Sequence, residues 1–260
     1  MKQLLSITIL SAVAILGLSS CDKSDRKEII QETGVTDKAF IKIVNAYTSL
    51  TPSSATPAAG PSVDVFVNNA KINTTPIGYT AMFPVPAAYA AVPSGLGVNV
   101  KMVINRTGGS TPADTIYRSN LNLATGSYTT LYLVDTFPNP TPASPIVLPF
   151  GESITAARPN FYKMRFVNLS PGNDTLEVFS KALNTVLLPG TRFKFASDWV
   201  ELPLLRRNDT LQLRKPGIAT VISSILTWNP STERVYTVYA RGTATGTGTR
   251  LRNLAAFINR

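Results

Sequence analysis

Ile41-Lys42-Ile43-Val44-Asn45 and Met164-Arg165-Phe166-Val167-Asn168 are one pattern written twice in a chain of 260 residues. Each is an apolar run with a cation at its second position and an asparagine at its end. β-Branched and aromatic residues at this density read as a strand. The terminal Asn reads as the opening of a turn, because its amide bonds to nearby backbone. Three further pairs follow in the same order. Val63-Asp64-Val65-Phe66 matches Leu176-Glu177-Val178-Phe179, Tyr89-Ala90-Ala91-Val92-Pro93 matches Trp199-Val200-Glu201-Leu202-Pro203, and Thr130-Leu131-Tyr132 matches Thr237-Val238-Tyr239. The separations are 123, 113, 110 and 107 residues, so loops shortened while strands were kept. The loop 51–62, TPSSATPAAGPS, has only 170–173 opposite it in the second copy. A period near 110 residues means tandem domains, each with its own core, rather than a solenoid.

Around these anchors the first copy offers strand segments at 39–46, 63–67, 89–92, 98–104, 115–123 and 128–134. Turn residues such as Asn68-Asn69 and Gly108-Gly109 separate them. The chain holds 16 Gly and 19 Pro, and no long helical period occurs. Strands at this spacing predict an all-β chain of two tandem β-sandwich domains. Between the copies lie Pro138, Pro140, Pro142, Pro145 and Pro149. Proline has no N–H to give a ladder, so residues 138–160 read as a stiff, extended linker. It separates domain 39–137 from domain 161–260, with few contacts expected between them.

The chain starts Met1-Lys2, continues with an apolar run at 4–18, and reaches Leu18-Ser19-Ser20-Cys21. That order reads as a secretory signal peptide over 1–20. The run is shorter than the roughly 20 residues a spanning helix needs. Its end resembles the lipobox of bacterial lipoproteins, in which the cysteine is acylated and becomes the first mature residue. Cys21 is the only cysteine, so no internal disulfide forms, and lipidation accounts for it. Residues 21–38 are charged and poor in apolar groups, which reads as a tether.

The sequence contains no histidine. Ser-His-Asp and Cys-His catalysis and His-based zinc sites are therefore excluded. The net charge of +10 is uneven: residues 161–260 hold 14 Lys and Arg against 6 Asp and Glu, while 39–137 hold 5 against 3. Such asymmetry suggests an acidic partner. Arg192, Lys194, Arg206, Arg207, Arg214 and Lys215 are the candidate contacts to an anionic ligand.

Other residues favour plain structural roles. Asp64 and Glu177 supply one carboxylate per domain, whereas glycoside hydrolysis needs two about 5–10 Å apart; they read as outward-facing positions of alternating strands. Asn45 and Asn168 read as turn residues. Tyr89, Trp199, Tyr128, Tyr132, Tyr236 and Tyr239 read as core or rim packing. The stretch 242–248, GTATGTG, lacks phosphate-loop spacing and reads as a hairpin or loop. Asp114-Thr115, Asp174-Thr175 and Asp209-Thr210, each followed by an aliphatic residue, read as turns that open strands.

The repeated pieces resemble the DUF4397 domain family: a strand ending Val-Asn, then Val-Asp-Val-Phe-Val, an aromatic strand ending in Pro, and Tyr-Thr-Val-Tyr near the close. Tyr239-Ala240-Arg241-Gly242 is similar to the family's last strands. The likeness covers roughly 40–137 and 162–258, with Glu177, Ser180 and Trp199 departing from it in the second copy. It implies immunoglobulin-like β-sandwiches and carries no assigned active site. The lipobox and tether resemble those of Bacteroidetes lipoproteins, and the Asp-Thr pairs resemble the O-glycosylation signal of exported proteins there, at Thr115, Thr175 and Thr210. The expectation is a non-catalytic lipoprotein, lipid-anchored in the outer membrane and exposed at the cell surface, serving as an adhesion or binding module. The alternative is an accessory glycan-binding subunit of a polysaccharide-capture system. No cofactor, metal or nucleic acid is expected; the expected partners are the membrane, through the lipid, and an acidic glycan or envelope protein.

Overall fold

The computed structural model describes residues 36–48, 62–85, 87–105, 115–135, 146–205 and 208–260. Strands dominate these residues, and the one short helical turn among them is the 3₁₀ segment Gly248–Arg250. Residues 37–260 form one compact unit.

The first half contains β1 (Lys38–Asn45), β2 (Ser62–Val67), β3 (Ala70–Lys71), β4 (Met82–Phe83), β5 (Ala90–Pro93), β6 (Gly95–Asn105), β7 (Thr115–Leu123), β8 (Tyr128–Val134) and β9 (Ile146–Gly151). One sheet runs β4-β1-β8-β9, with β5 also on β1, and the other runs β3-β2-β6-β7. The second half contains β10 (Phe161–Asn168), β11 (Leu176–Ser180), β12 (Thr185–Thr191), β13 (Val200–Pro203), β14 (Asp209–Arg214), β15 (Ser223–Trp228), β16 (Val235–Arg241) and β17 (Asn253–Ile258). Its sheets run β13-β10-β16-β17 and β12-β11-β14-β15. The chain is thus all-β, with a sandwich in each half.

Alternation decides which faces close. In β2 the valines 63, 65 and 67 are buried while Asp64 and Phe66 are partly exposed. Those valines pack with Met102 of the neighbouring strand β6 and with Ile41, Ile43, Leu131 and Leu133 of the facing sheet. Phe166, Val178, Leu188, Leu211, Leu213 and Val238 fill the equivalent core in the second half. At roughly 1.5–3 kcal/mol per buried aliphatic side chain, each core is a major source of stability in a chain without disulfides.

The repeat holds residue by residue. β1 pairs in parallel with β8, placing Lys42 opposite Thr130 and Val44 opposite Tyr132. β10 pairs in parallel with β16, placing Arg165 opposite Thr237 and Val167 opposite Tyr239. Ile41 faces Ala90 in β5, and Met164 faces Val200 in β13.

The linker expected at 138–160 is corrected from residue 146 onward. β9 pairs antiparallel with β8, and Leu131 lies opposite Pro149. β9 is an edge strand, the position in which a missing N–H is tolerated. It is the counterpart of β17: Thr130 faces Phe150 and Thr237 faces Phe257. The first repeat therefore closes one strand later than 137 suggests.

Few contacts between halves were also expected, and the opposite is found. The outward faces of β1, β8 and β9 meet those of β10, β16 and β17. Val44, Ala46, Tyr132 and Val134 form one buried cluster with Val167, Leu169, Phe193, Tyr239 and Phe257. Four sheets are stacked around three cores, and the middle core joins the halves.

Candidate functional site

Asn45 and Asn168 finish their strands in the same way. Asn45 Nδ2 donates to Ile77 O at 3.0 Å, and its Oδ1 accepts from Tyr47 N at 3.1 Å. Asn168 Nδ2 donates to Thr191 O at 2.9 Å, and its Oδ1 accepts from Ser170 N at 3.0 Å. Asn45 N donates to Ala81 O while Thr80 N donates to Asn45 O; Asn168 N donates to Phe195 O while Lys194 N donates to Asn168 O. Thr80 and Lys194 both adopt φ +72°. A left-handed residue other than Gly costs roughly 1–2 kcal/mol, which these bonds offset. The turns 77–82 and 191–196 are one device used twice, which is the structural role read for the two asparagines.

The decoration of the device differs. Gly78, Thr80 and Ala81 in the first half correspond to Arg192, Lys194 and Phe195 in the second. Phe195 is 63% exposed, and Arg192 and Lys194 are exposed beside it. Pro189, Gly190, Thr191, Arg192, Phe195, Ala196, Ser197, Asp198 and Val200 line an open groove of about 610 Å³. Gly190 is needed in its wall, because a Cβ there would stand 2.7 Å from Thr175 Cγ2 and 2.8 Å from Pro216 Cγ. Ser197 Oγ is already engaged, accepting from Phe166 N at 2.9 Å and donating to Asp198 O at 2.9 Å. That leaves the Arg192 guanidinium, the Asp198 carboxylate and the Phe195 ring as the groove's free chemistry.

The other candidate cations lie elsewhere. Arg214 stacks on Phe179, 3.6 Å from its ring centroid, and donates to Gln212. Lys215 pairs with Asp174 at 2.7 Å, and Arg252 pairs with the same carboxylate at 2.7 Å. Hydrogen bonds from these two cations hold the Asp174 carboxyl below its ordinary range. Arg206, Arg207 and Cys21 lie outside the described residues. Phe195 and Asp198 were not singled out by the sequence reading; comparing the turn with Gly78-Tyr79-Thr80-Ala81 is the signal that finds Phe195.

Two of the Asp-Thr pairs have structural uses, through Asp174 and Asp209; Asp114 lies outside the described residues. Asp209 is buried, accepts from Ser180 Oγ, and accepts from Ala182 N at 2.9 Å, fastening the β11–β12 hairpin. Thr115 is exposed, while Thr175 and Thr210 are partly buried. Asp64 pairs with Lys71 at 2.9 Å, whereas Glu177, expected to face outward, is only 7% exposed opposite Arg214. The 242–248 stretch connects β16 to β17, and a Cβ on Gly246 would stand 2.2 Å from Arg250 O.

The densest polar cluster is sealed between the halves. Glu152 accepts from Arg165, from Asn259 Nδ2 at 2.9 Å and from Tyr132 OH at 3.4 Å. Its side chain is fully buried and that of Arg165 nearly so. Burial pushes the Glu152 carboxyl up, against the pull of Arg165. Lys42 donates to Ala88 O at 2.7 Å and to Pro84 O at 3.2 Å, and desolvation lowers its pKa to about 8 despite Glu152. This cluster joins two sheets and presents no opening to a substrate. Among the described residues no group of three His, Cys, Asp or Glu could hold a metal ion, and no helix is long and apolar enough to cross a membrane.

No family model matches the chain, and no curated protein matches it.

Proposed function

We propose that the chain is a non-catalytic lipoprotein of the DUF4397 type, anchored in the outer membrane through Cys21 and displayed at the cell surface as a binding module. Its ligand class is an acidic glycan. The observation that carries this reading is the turn 191–196. A backbone that serves equally well with Gly78, Thr80 and Ala81 here bears two cations and an exposed ring beside a groove. Phe195, 63% exposed beside two exposed cations, sets an aromatic face next to positive charge at the groove. The lipobox-like Leu18-Ser19-Ser20-Cys21 supports the anchor.

Cys21→Ala should release the protein from the membrane fraction after a carbonate wash, because stable attachment takes more than one acyl chain or signal; a variant that stays with the membrane overturns the anchor. Retention on an immobilised acidic polysaccharide should fall steeply between about 0.05 and 0.2 M salt, as the Debye length shortens to about 8 Å near 0.15 M. No retention at low salt overturns the binding role.

A further inference from the structure

We infer that the groove at 189–200 is a subsite for one uronate residue of a polysaccharide, with Phe195 stacking on the sugar ring, Arg192 meeting its carboxylate, and Asp198 accepting from its hydroxyls. The inference rests on the reading of the chain as an acidic-glycan binder and locates the site. Three observations converge on it. The groove volume of about 610 Å³ falls in the range of small-ligand sites and suits a saccharide unit. Its wall combines an apolar floor, Pro189, Ala196 and Val200, with one cation and one carboxylate. Among the described residues neither Arg192 nor Lys194 has an ion-pair partner, in contrast to Lys215, Arg252 and Arg165.

The chemistry selects a sugar acid. A neutral sugar would use the ring and Asp198 but leave Arg192 idle. A bare anion would use Arg192 but not the ring, and Asp198 would repel it. An acidic peptide would meet the same charges without a flat C–H face to lay on Phe195. A pyranose with an equatorial carboxylate offers a face, vicinal hydroxyls and one negative charge together. Lys194, on the same turn, lies outside the groove's lining, with its ammonium 5.5 Å from the Phe193 ring centroid, and adds positive charge beside the groove.

The first half supplies the control. Arg192→Gly/Lys194→Thr/Phe195→Ala rewrites the turn with the residues that the equivalent turn already carries, so the variant keeps its fold. Calorimetric titration of the full chain uses an oligogalacturonate, a cello-oligosaccharide of the same length, and an oligoglutamate of the same charge. The expected result is binding of the galacturonate, with the other two at least about tenfold weaker, and loss of about tenfold or more in the triple variant; a decade corresponds to about 1.4 kcal/mol. Phe195→Ala alone should weaken the galacturonate and leave the weak oligoglutamate binding unchanged. Equal binding of oligoglutamate and galacturonate overturns the sugar subsite. Galacturonate bound equally by wild type and triple variant overturns the location while leaving the acidic-glycan function intact. No galacturonate binding by the wild type overturns the inference; if the immobilised acidic polysaccharide also fails to retain the protein, the function falls with it.

Discussion

Lys42 and Arg165 hold the same position in the two halves, and each sets its cation against the other half's phenylalanine. Lys42 Nζ is 5.4 Å from the Phe257 ring, and Arg165 Cζ is 5.7 Å from the Phe150 ring. Each also lies over an equivalent aromatic of its own half, Lys42 at 4.8 Å over Tyr89 and Arg165 at 4.7 Å over Trp199. Tyr132 and Tyr239, equivalent to one another, meet at 6.5 Å. Such reciprocity is that of an isologous interface, here within one chain.

Breaking the buried pair should be costly. Arg165→Met leaves Glu152 buried without its cation, which should lower stability by about 3–5 kcal/mol. Arg165→Met/Glu152→Met should recover much of that loss, because the uncompensated charge is gone. Urea denaturation of the three chains checks this; a double variant less stable than the single one contradicts it.

Lys42 should give the protein a pH-dependent stability in mildly alkaline solution. Its folded pKa, about 8, lies below the unfolded value near 10.4, so the folded state disfavours the charged form. Stability from this group is therefore lowest below pH 8 and rises as pH climbs from about 8 toward 9.5, by up to about 2 kcal/mol at 1.36 kcal/mol per unit. Above pH 10 the buried tyrosines act in the opposite sense, since burial raises Tyr89 and Tyr132 and the unfolded chain ionises first. Urea midpoints at pH 7.5 and 9.5 should differ for the wild type, and Lys42→Met should flatten that difference.

Asn45→Ala and Asn168→Ala should cost similar amounts. Each takes the acceptor from a buried N–H, that of Tyr47 or Ser170, at about 1–3 kcal/mol, and removes one bond to a carbonyl, Ile77 or Thr191. Denaturant titration of the two variants should give losses that agree closely; a large loss at one and none at the other would mean the turns are not equivalent in energy.

The two pieces should remain together when the chain is cut inside the first half, between β8 and β9. A protease site inserted at 141–142 lies between β8 and β9, so cleavage leaves β9 associated through its ladder with β8 and through the middle core. The cleaved protein should elute at the size of the intact chain, and separation of the pieces in native buffer would contradict the shared core.

The four repeated motifs located β1, β2, β5 and β8 and their partners in correct register, because period-2 alternation specifies a face strongly. What they concealed was the outward face. Lys42 and Arg165 look like solvent positions in an alternating strand, yet both are buried. The clue was apolar residues at the same parity: Val44, Tyr132, Val167 and Tyr239 leave little for water to meet. β9 was hidden by Pro149, which argues against a central strand but not an edge. Phe150 and Phe257 share their neighbours' separation of 107, a match missed once the first repeat was closed at 137. At the candidate site the cations were legible from composition, but only the shared turn geometry separated Arg192 and Lys194 from Arg214 and Lys215.

Glu152 and Asn259 also stand at one equivalent position, and they are bonded to each other at 2.9 Å. Two identical subunits would have to place a like pair there: two carboxylates in mutual repulsion, or two amides with no anion for Arg165. Covalent fusion removed that obligation. One copy became an acid and the other an amide, and a heterotypic contact became available at the seam of a symmetric assembly. The outer surface is asymmetric in the same way, with Gly78, Thr80 and Ala81 on one turn and Arg192, Lys194 and Phe195 on its twin: with both copies on one chain, neither position has to match.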